Sequence, residues 1–194
     1  DYSEPTITNG KVYNESLEVR RTMVLRAAVY KEGMLPSRVE THTYVYNLGN
    51  SVTSLPMLSL VTERSNLWGR TGIMETSPRN TTKRGIAWER PVSMELIYPD
   101  TGETLHANAG LRVQGGAYIR GRYNPNSGPP AGKYSFRLYF RGDYGLGRLR
   151  YPFFPDLQVE DFNHIVLRAG MNDHTNPFII DELVRRLAAD MGQI

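Results

Sequence analysis

The chain has 194 residues, which is the length of one ordinary domain or of one domain with a fragment of another. With 40% hydrophobic and 10% aromatic residues it can close a packed core, so general disorder is excluded. The formal net charge of +3 is too small by itself to indicate nucleic acid as a partner. Because the sequence contains no cysteine, disulfides, thiolate nucleophiles and cysteine-ligated zinc are excluded.

No apolar run approaches the ~20 residues that a membrane helix requires, so we expect no membrane insertion. The first residues also lack the basic and apolar parts of a signal peptide. Since the sequence begins in a turn-like string and ends just after a helix-like segment, we expect both ends to be cuts in a longer polypeptide. Such a cut would also have removed any signal peptide.

The first 47 residues contain three strand-like runs, at 17–19, 23–30 and 41–46. Gly33 and Pro36 lie between the last two and predict a hairpin loop, because glycine accepts a positive φ and proline ends strand pairing. We expect a small antiparallel unit here. Small polar residues then precede a shift toward arginine, glycine and aromatic residues, so we place a domain boundary near residue 48.

The second part of the chain predicts a larger sheet. The continuous apolar run at 55–61 is typical of a strand buried on both faces, and residues 62–89 predict a long loop with short turns. Residues 91–98 alternate, turn at 99–103 and continue at 106–114, which predicts a second hairpin. More sheet than helix is therefore expected.

Two further strands follow. Residues 133–140 alternate strictly, with Phe136, Leu138 and Phe140 on one face and polar or cationic residues on the other. Residues 163–169 form the last strand candidate. We expect the aromatic face to pack and the opposite face to present cations.

The C-terminal residues predict a helix. Asn176 and Pro177 fit an N-cap and first helical position, apolar residues then recur every three or four positions, and Gly192 fits the C-terminal cap. Asp181 and Glu182 lie in the first turns, each four residues before an arginine, so solvated ion pairs explain them. If Glu182 contacts an earlier lysine, it must do so across a cleft.

Residues 112–150 contain eight basic residues and one acidic residue, which makes this stretch a candidate anion site. Gly115 and Gly116 follow one predicted strand, and Lys133 begins the next. Glycine backbone can approach a phosphate, whose charge Lys133 would meet. The same glycines also fit a tight turn or a bulge, which is the more frequent role. Since no Gly-Lys-Ser or Gly-Lys-Thr occurs, a P-loop is excluded.

Other chemistry is less strongly indicated. No Gly-x-Ser-x-Gly or His-Glu-x-x-His motif occurs, and the four histidines are far apart in sequence, so core or surface roles are expected for them. The Asn-Asp-His sequence at 172–174 fits a ligand site, or more simply a helix cap. Four aromatic residues fit either a sugar-stacking platform or ordinary packing: Trp68, Trp88, Tyr118 and Tyr123.

Several sequence blocks between residues 50 and 194 occur in the order seen in bacterial CotH-type proteins, the spore-coat kinase-like family. These blocks are LPMLSLVT at 55–62, NLW at 66–68, TGI at 71–73, WERPVS at 88–93, NAGLRVQGG at 108–116, KYSFRLYF at 133–140, LRAGMND at 167–173 and DEL at 181–183. Residues 1–47 resemble the tail of the small β-sandwich of chitobiases and hexosaminidases, through SEPT at 3–6, RAA at 26–28, GMLPS at 33–37 and THTY at 41–44. The opening strands of that sandwich are absent.

The resemblance implies an α+β fold, in which a partial β-sandwich over 1–47 precedes a mostly antiparallel sheet lobe over 48–194. That lobe, with its C-terminal helix, would be the N-terminal lobe of an atypical protein kinase that binds ATP and Mg²⁺. Gly115 and Gly116 resemble the phosphate-covering loop, Lys133 the nucleotide-contacting lysine and Glu182 its ion-pair partner. Arg120, between the glycines and Lys133, is a further candidate for cofactor binding. The family's catalytic and metal-binding aspartates follow this helix, so no catalytic residue is assigned and the chain itself is expected to be inactive.

The implied setting is extracellular or at the bacterial cell surface, with a secreted or surface protein as substrate and no nucleic acid partner. The alternative is a non-catalytic extracellular module that binds a glycan or a protein. That alternative predicts that the four aromatic residues named above line an exposed groove. An inactive structural coat component is a third interpretation.

Overall fold

A computed structural model describes residues 2–47, 49, 54–115, 134–154, 158–169 and 179–193. These residues form nine strands and two α-helices. In chain order they are β1 (Met23–Ala27), β2 (Glu40–Tyr44), β3 (Met57–Val61), α1 (Arg64–Leu67), β4 (Arg90–Ile97), β5 (Thr104–Gln114), β6 (Ser135–Tyr139), β7 (Leu149–Arg150), β8 (Asp161–Phe162), β9 (His164–Leu167) and α2 (Ile180–Asp190). The predicted predominance of antiparallel sheet over helix is confirmed.

Five strands form a central antiparallel sheet in the order β3-β4-β5-β6-β9. Strands β4 and β5 are the predicted second hairpin, in which Gly102 takes a φ of 74° in the turn and the Tyr98 amide donates to the Glu103 carbonyl. The strands predicted at 133–140 and 163–169 are confirmed as β6 and β9. Two smaller sheets pair β1 with β2 and β7 with β8.

One face of the central sheet carries the apolar core. Its buried members are Val92, Met94, Ala109, Leu111, Val113, Leu138 and Phe140, packed with Ile73 and Leu149. Leu138 is fully buried at the centre, and Phe136 packs against the same cluster. The predicted packing of the aromatic face of β6 is therefore confirmed.

The opposite face of the central sheet is polar, and the β1–β2 hairpin packs against it. The Thr43 amide donates to Glu95 Oε2 at 2.6 Å, and the Thr43 hydroxyl donates to Ser59 Oγ at 2.7 Å. The Ser93 hydroxyl donates to Thr41 Oγ1 at 3.2 Å. The predicted hairpin in the first 47 residues is confirmed, and the domain boundary near residue 48 stays a prediction.

Three local predictions are wrong. Residues 17–19 are not a strand, because none of the described segments pairs with them and Leu17 is exposed. Strand β3 is not buried on both faces, since Leu58 keeps 38% of its surface exposed and Met57 and Ser59 are only half-buried. Helix α2 begins at Ile180 with Ile179 as its N-cap, whereas a helix that started at Pro177 would already include Ile179.

The end of α2 agrees with prediction, while its start lies close to residues that are not described. Gly192 takes a φ of 68° and its amide donates to the Ala189 carbonyl, as expected for a C-terminal cap. Asn176 and Pro177 lie outside the described residues. The apolar residues of α2 that predicted the helix, Leu183, Val184 and Leu187 among them, are exposed.

The segment predicted as loop, 62–89, contains α1, two short 3-10 turns at Asn80–Thr82 and Ile86–Trp88, and otherwise turns and bends. This prediction is confirmed. Across the described ranges, no helix combines the length and the apolar character needed to cross a membrane.

Candidate functional site

The predicted glycine loop begins directly after β5. Gly115 takes a φ of 72°, a backbone conformation that glycine adopts without the steric penalty of a Cβ. Gln114 pairs with Ser135, so the described residues on either side of the loop segment, Gly115 and Tyr134, lie at the same end of the central sheet. Three predicted site residues lie outside the described part of the chain: Gly116, Arg120 and Lys133.

Glu182 forms ion pairs on the surface of α2. Its carboxylate accepts hydrogen bonds from Arg185 at 2.8 and 2.9 Å and from Arg186 Nε at 2.8 Å. Hydrogen bonds from the guanidinium groups, first that of Arg185 and second that of Arg186 in size of effect, lower the pKa of Glu182 to about 2. The interpretation as solvated ion pairs is confirmed for Glu182, and its contact with Lys133 stays a prediction.

An arginine cluster lies on the polar face, close to the end of β5. Arg112 on β5 is directly opposite Arg137 on β6. Their guanidinium carbons lie 4.8 and 6.0 Å from the centre of the Tyr139 ring, and that of Arg141 lies 5.1 Å from it. Arg112 Nη2 also donates to the Tyr139 hydroxyl. Like charges directly opposite in a sheet repel, and the aromatic ring offsets only part of that repulsion.

Among the described contacts, one of the three arginines, Arg141, has a carboxylate partner. Arg141 donates to both oxygens of Glu89, at 3.0 and 3.1 Å, and the Glu89 side chain is fully buried. The Tyr144 hydroxyl donates to the same carboxylate at 3.4 Å. Burial, followed by the negative charge of Glu89, raises the pKa of Tyr144. This buried carboxylate therefore neutralises Arg141.

The other two arginines are not neutralised within the described ranges. There, neither Arg112 nor Arg137 contacts a carboxylate, and the buried Arg137 Nε has no hydrogen-bond partner. Arg137, Tyr139, Arg141 and His164 border a surface depression of about 520 Å³, to which Asp143 contributes one carboxylate. Guanidinium groups bind phosphate and carboxylate through paired N–H donors, so this arrangement can hold an anion.

The structure thus reduces the number of basic residues within 112–150 that can serve the expected anion site. Arg148 and Arg150 turn instead toward Asp161, with N–O distances of 2.8 and 3.9 Å. Arg112 and Arg137 remain as the described cations that an anion would neutralise. Arg122 lies, with Arg120 and Lys133, outside the described residues.

The residues of the alternative glycan platform are described only in part. The Trp88 ring is flanked by the Lys83 ammonium at 5.8 Å and by the Arg90 guanidinium at 5.3 Å. Trp68 is 42% exposed. Tyr118, Tyr123 and the Asn-Asp-His sequence at 172–174 lie outside the described residues.

A cluster of potential metal ligands was not expected from the sequence. His42, Glu95 and His106 place one ligand atom each within 4.8 Å of one another. Glu95 and His106 are partners in the β4–β5 register. The predicted hairpin, with residues matched in pairs on either side of its turn, would therefore have placed these two opposite each other. Nothing in the sequence links His42, which is on the other hairpin, to this pair.

Comparisons with known proteins give no match: no family model, no curated protein and no solved structure matches this chain. The resemblance to CotH-type proteins therefore depends on the sequence blocks alone.

Proposed function

We propose that this chain is the nucleotide-binding part of a CotH-type atypical protein kinase, which acts outside the bacterial cell on secreted or surface proteins. The sequence blocks support the family, and the antiparallel sheet is compatible with a kinase N-terminal lobe. In this proposal the segment from Gly115 to Lys133 covers the phosphates of ATP.

The observation that carries the proposal is the pair of arginines beside this segment that contact no carboxylate among the described residues. Arg112 and Arg137 are each two residues from the last paired residues of their strands, Gln114 and Ser135. At the rise of a β-strand, three residues from Arg112 to Gly115 span about 10 Å. A polyphosphate that contacts the glycine backbone is therefore also within reach of these guanidinium groups. The unpartnered Arg137 Nε is a donor that such an anion would satisfy.

The chemistry expected of this part of the protein is binding and orientation. Phosphoryl transfer depends largely on positioning and on stabilising charge that develops on the phosphates. Arg112 and Arg137 would neutralise phosphate charge, and the buried Glu89 would hold Arg141 in a fixed position beside them. ATP supplies the transferred phosphoryl group, and its Mg²⁺ supplies further neutralising charge. We assign no magnesium ligand and no catalytic base to this chain.

The test is a calorimetric titration of the protein with ATP in the presence of Mg²⁺. We expect Lys133→Ala and Arg137→Ala each to weaken ATP binding about tenfold, which corresponds to the ~1.4 kcal/mol typical of a lost hydrogen bond to a charged group. Arg150→Ala is the matched control, because it removes the same charge from an exposed position next to Asp161. Thermal unfolding of each variant checks that the fold persists.

Equal ATP affinity in all variants, or no ATP binding by the unaltered protein, would remove the nucleotide proposal. A glycan array with Trp68→Ala as a variant then tests the alternative of a carbohydrate-binding module. Loss of a glycan signal in that variant would favour the alternative.

A further inference from the structure

Three metal-binding side chains meet where the β1–β2 hairpin packs on the central sheet. Glu95 on β4 and His106 on β5 are register partners on the polar face. His42 on β2 directly precedes Thr43, whose amide donates to Glu95 Oε2 at 2.6 Å. That hydrogen bond fixes the hairpin against β4 and so brings His42 to the pair on the sheet.

The spacing of the donor atoms is close to that of a metal site. His106 Nε2 lies 3.3 Å from Glu95 Oε1, and the centres of the His42 and His106 rings are 4.6 Å apart. All three donor atoms lie within 4.8 Å of one another. Tetrahedral zinc with bonds of 2.0–2.2 Å places its ligand atoms about 3.3 Å apart. The remaining movement is about 1.5 Å, and both histidines are exposed at the surface, where a side chain is less constrained by packing.

The electrostatics of the cluster favour a bound cation. Glu95 is buried, with 8% of its side chain exposed, and a buried carboxylate is costly unless a positive charge or several donors meet it. The Thr43 amide satisfies Oε2, which leaves Oε1 directed toward His106. Within the described residues, the ring nitrogens of His42 make no hydrogen bond and so are available as ligands.

The simpler interpretation is an ion pair between Glu95 and a protonated His106, with His42 stacked beside it. That interpretation explains one histidine but gives the second imidazole no polar partner. A divalent ion satisfies both rings and the carboxylate together.

We propose that His42, Glu95 and His106 bind a zinc ion that joins the β1–β2 hairpin to the central sheet. Two imidazole nitrogens and one carboxylate oxygen suit zinc, whereas magnesium and calcium prefer oxygen ligands alone. The Thr43 amide orients the ligating carboxylate from outside the coordination sphere. Three protein ligands leave a fourth position for water or for another molecule.

The test is a calorimetric titration of the untagged protein with Zn²⁺, and with Mg²⁺ for comparison. We expect one zinc ion per chain, no comparable heat with Mg²⁺ and a higher unfolding temperature in the presence of zinc. His42→Ala, His106→Ala and Glu95→Gln should each weaken zinc binding about tenfold or more. Glu95→Gln keeps a carbonyl oxygen for the Thr43 amide, so this variant changes the ligand and retains that hydrogen bond.

His164→Ala is the matched control, because His164 is an exposed histidine on the same sheet that lies outside the cluster. The control should bind zinc as the unaltered protein does. The proposal fails if the unaltered protein shows no saturable zinc binding, or if zinc binds at one ion per two chains. It also fails if His164→Ala weakens binding as much as His42→Ala. None of these outcomes depends on ATP binding, so the two proposals are tested separately.

Discussion

Gly110 on β5 lies beneath two side chains of the polar face, and this close approach can be tested directly. A Cβ on Gly110 would lie 2.8 Å from Tyr144 Cζ and 2.9 Å from Glu89 Oε2, whereas ordinary contact begins at 3.4 Å. The Tyr144 ring would have to move, and Glu89 has little freedom because it is buried and bonded to Arg141. We expect Gly110→Ala to lower the free energy of unfolding by about 1–3 kcal/mol, as overpacking does in other proteins.

The assay is urea unfolding, with thermal unfolding as a second measure. In a chain of this length each kcal/mol lowers the unfolding temperature by about 2–4 °C. Gly142→Ala is the control, because a Cβ there meets nothing within 4 Å, and it should change stability by less than about 0.5 kcal/mol. Adding Tyr144→Ser should recover part of the loss, since it removes the ring from above Gly110. Equal stability of the two alanine variants would refute this account of the polar face.

Three further predictions concern the core, the loop start and the helix. Leu138→Ala should destabilise the protein by about 2–5 kcal/mol, while Leu58→Ala on the exposed edge strand should cost about 1 kcal/mol or less, which paired denaturation curves will show. Gly115→Ala should cost about 1–2 kcal/mol in the same assay, because a Cβ is unfavourable at its φ of 72°. An NMR titration should place the pKa of Glu182 near 2, and Arg185→Ala should raise it. Because the folded-state pKa of Glu182 is lowered from its ordinary value of 4.5, this ion pair stabilises the protein above pH 4.5, and its contribution is lost as the pH falls toward 2.

Local patterns allowed much of the central sheet to be predicted. The alternation on either side of a turn at 99–103 identified the β4–β5 hairpin, and alternation in β6 identified its buried face. Both signals work because each strand keeps one face in the core. The apolar run of β3 was harder to interpret, because hydrophobicity alone does not show whether other elements cover both faces of a strand.

The site was predictable only where a single residue determines the geometry. Gly115 follows a strand and takes the positive φ that glycine permits. The pairing of Glu89 with Arg141 joins residues 52 positions apart, and the meeting of His42 with Glu95 depends on how one hairpin packs on another sheet. No local period encodes such contacts, because they arise from tertiary packing.

The contacts that attach the β1–β2 hairpin to the central sheet also determine how its detachment could be detected. In the described part of the chain its contacts with the sheet include hydroxyls, an amide, a carboxylate and the His42 ring against the His106 ring, and none of its residues belongs to the apolar core. Detachment would expose little apolar surface, so it would change the heat capacity only slightly and leave a calorimetric trace almost unaltered. Hydrogen–deuterium exchange at the Thr43 amide would report it instead, as a local opening well below the free energy of global unfolding.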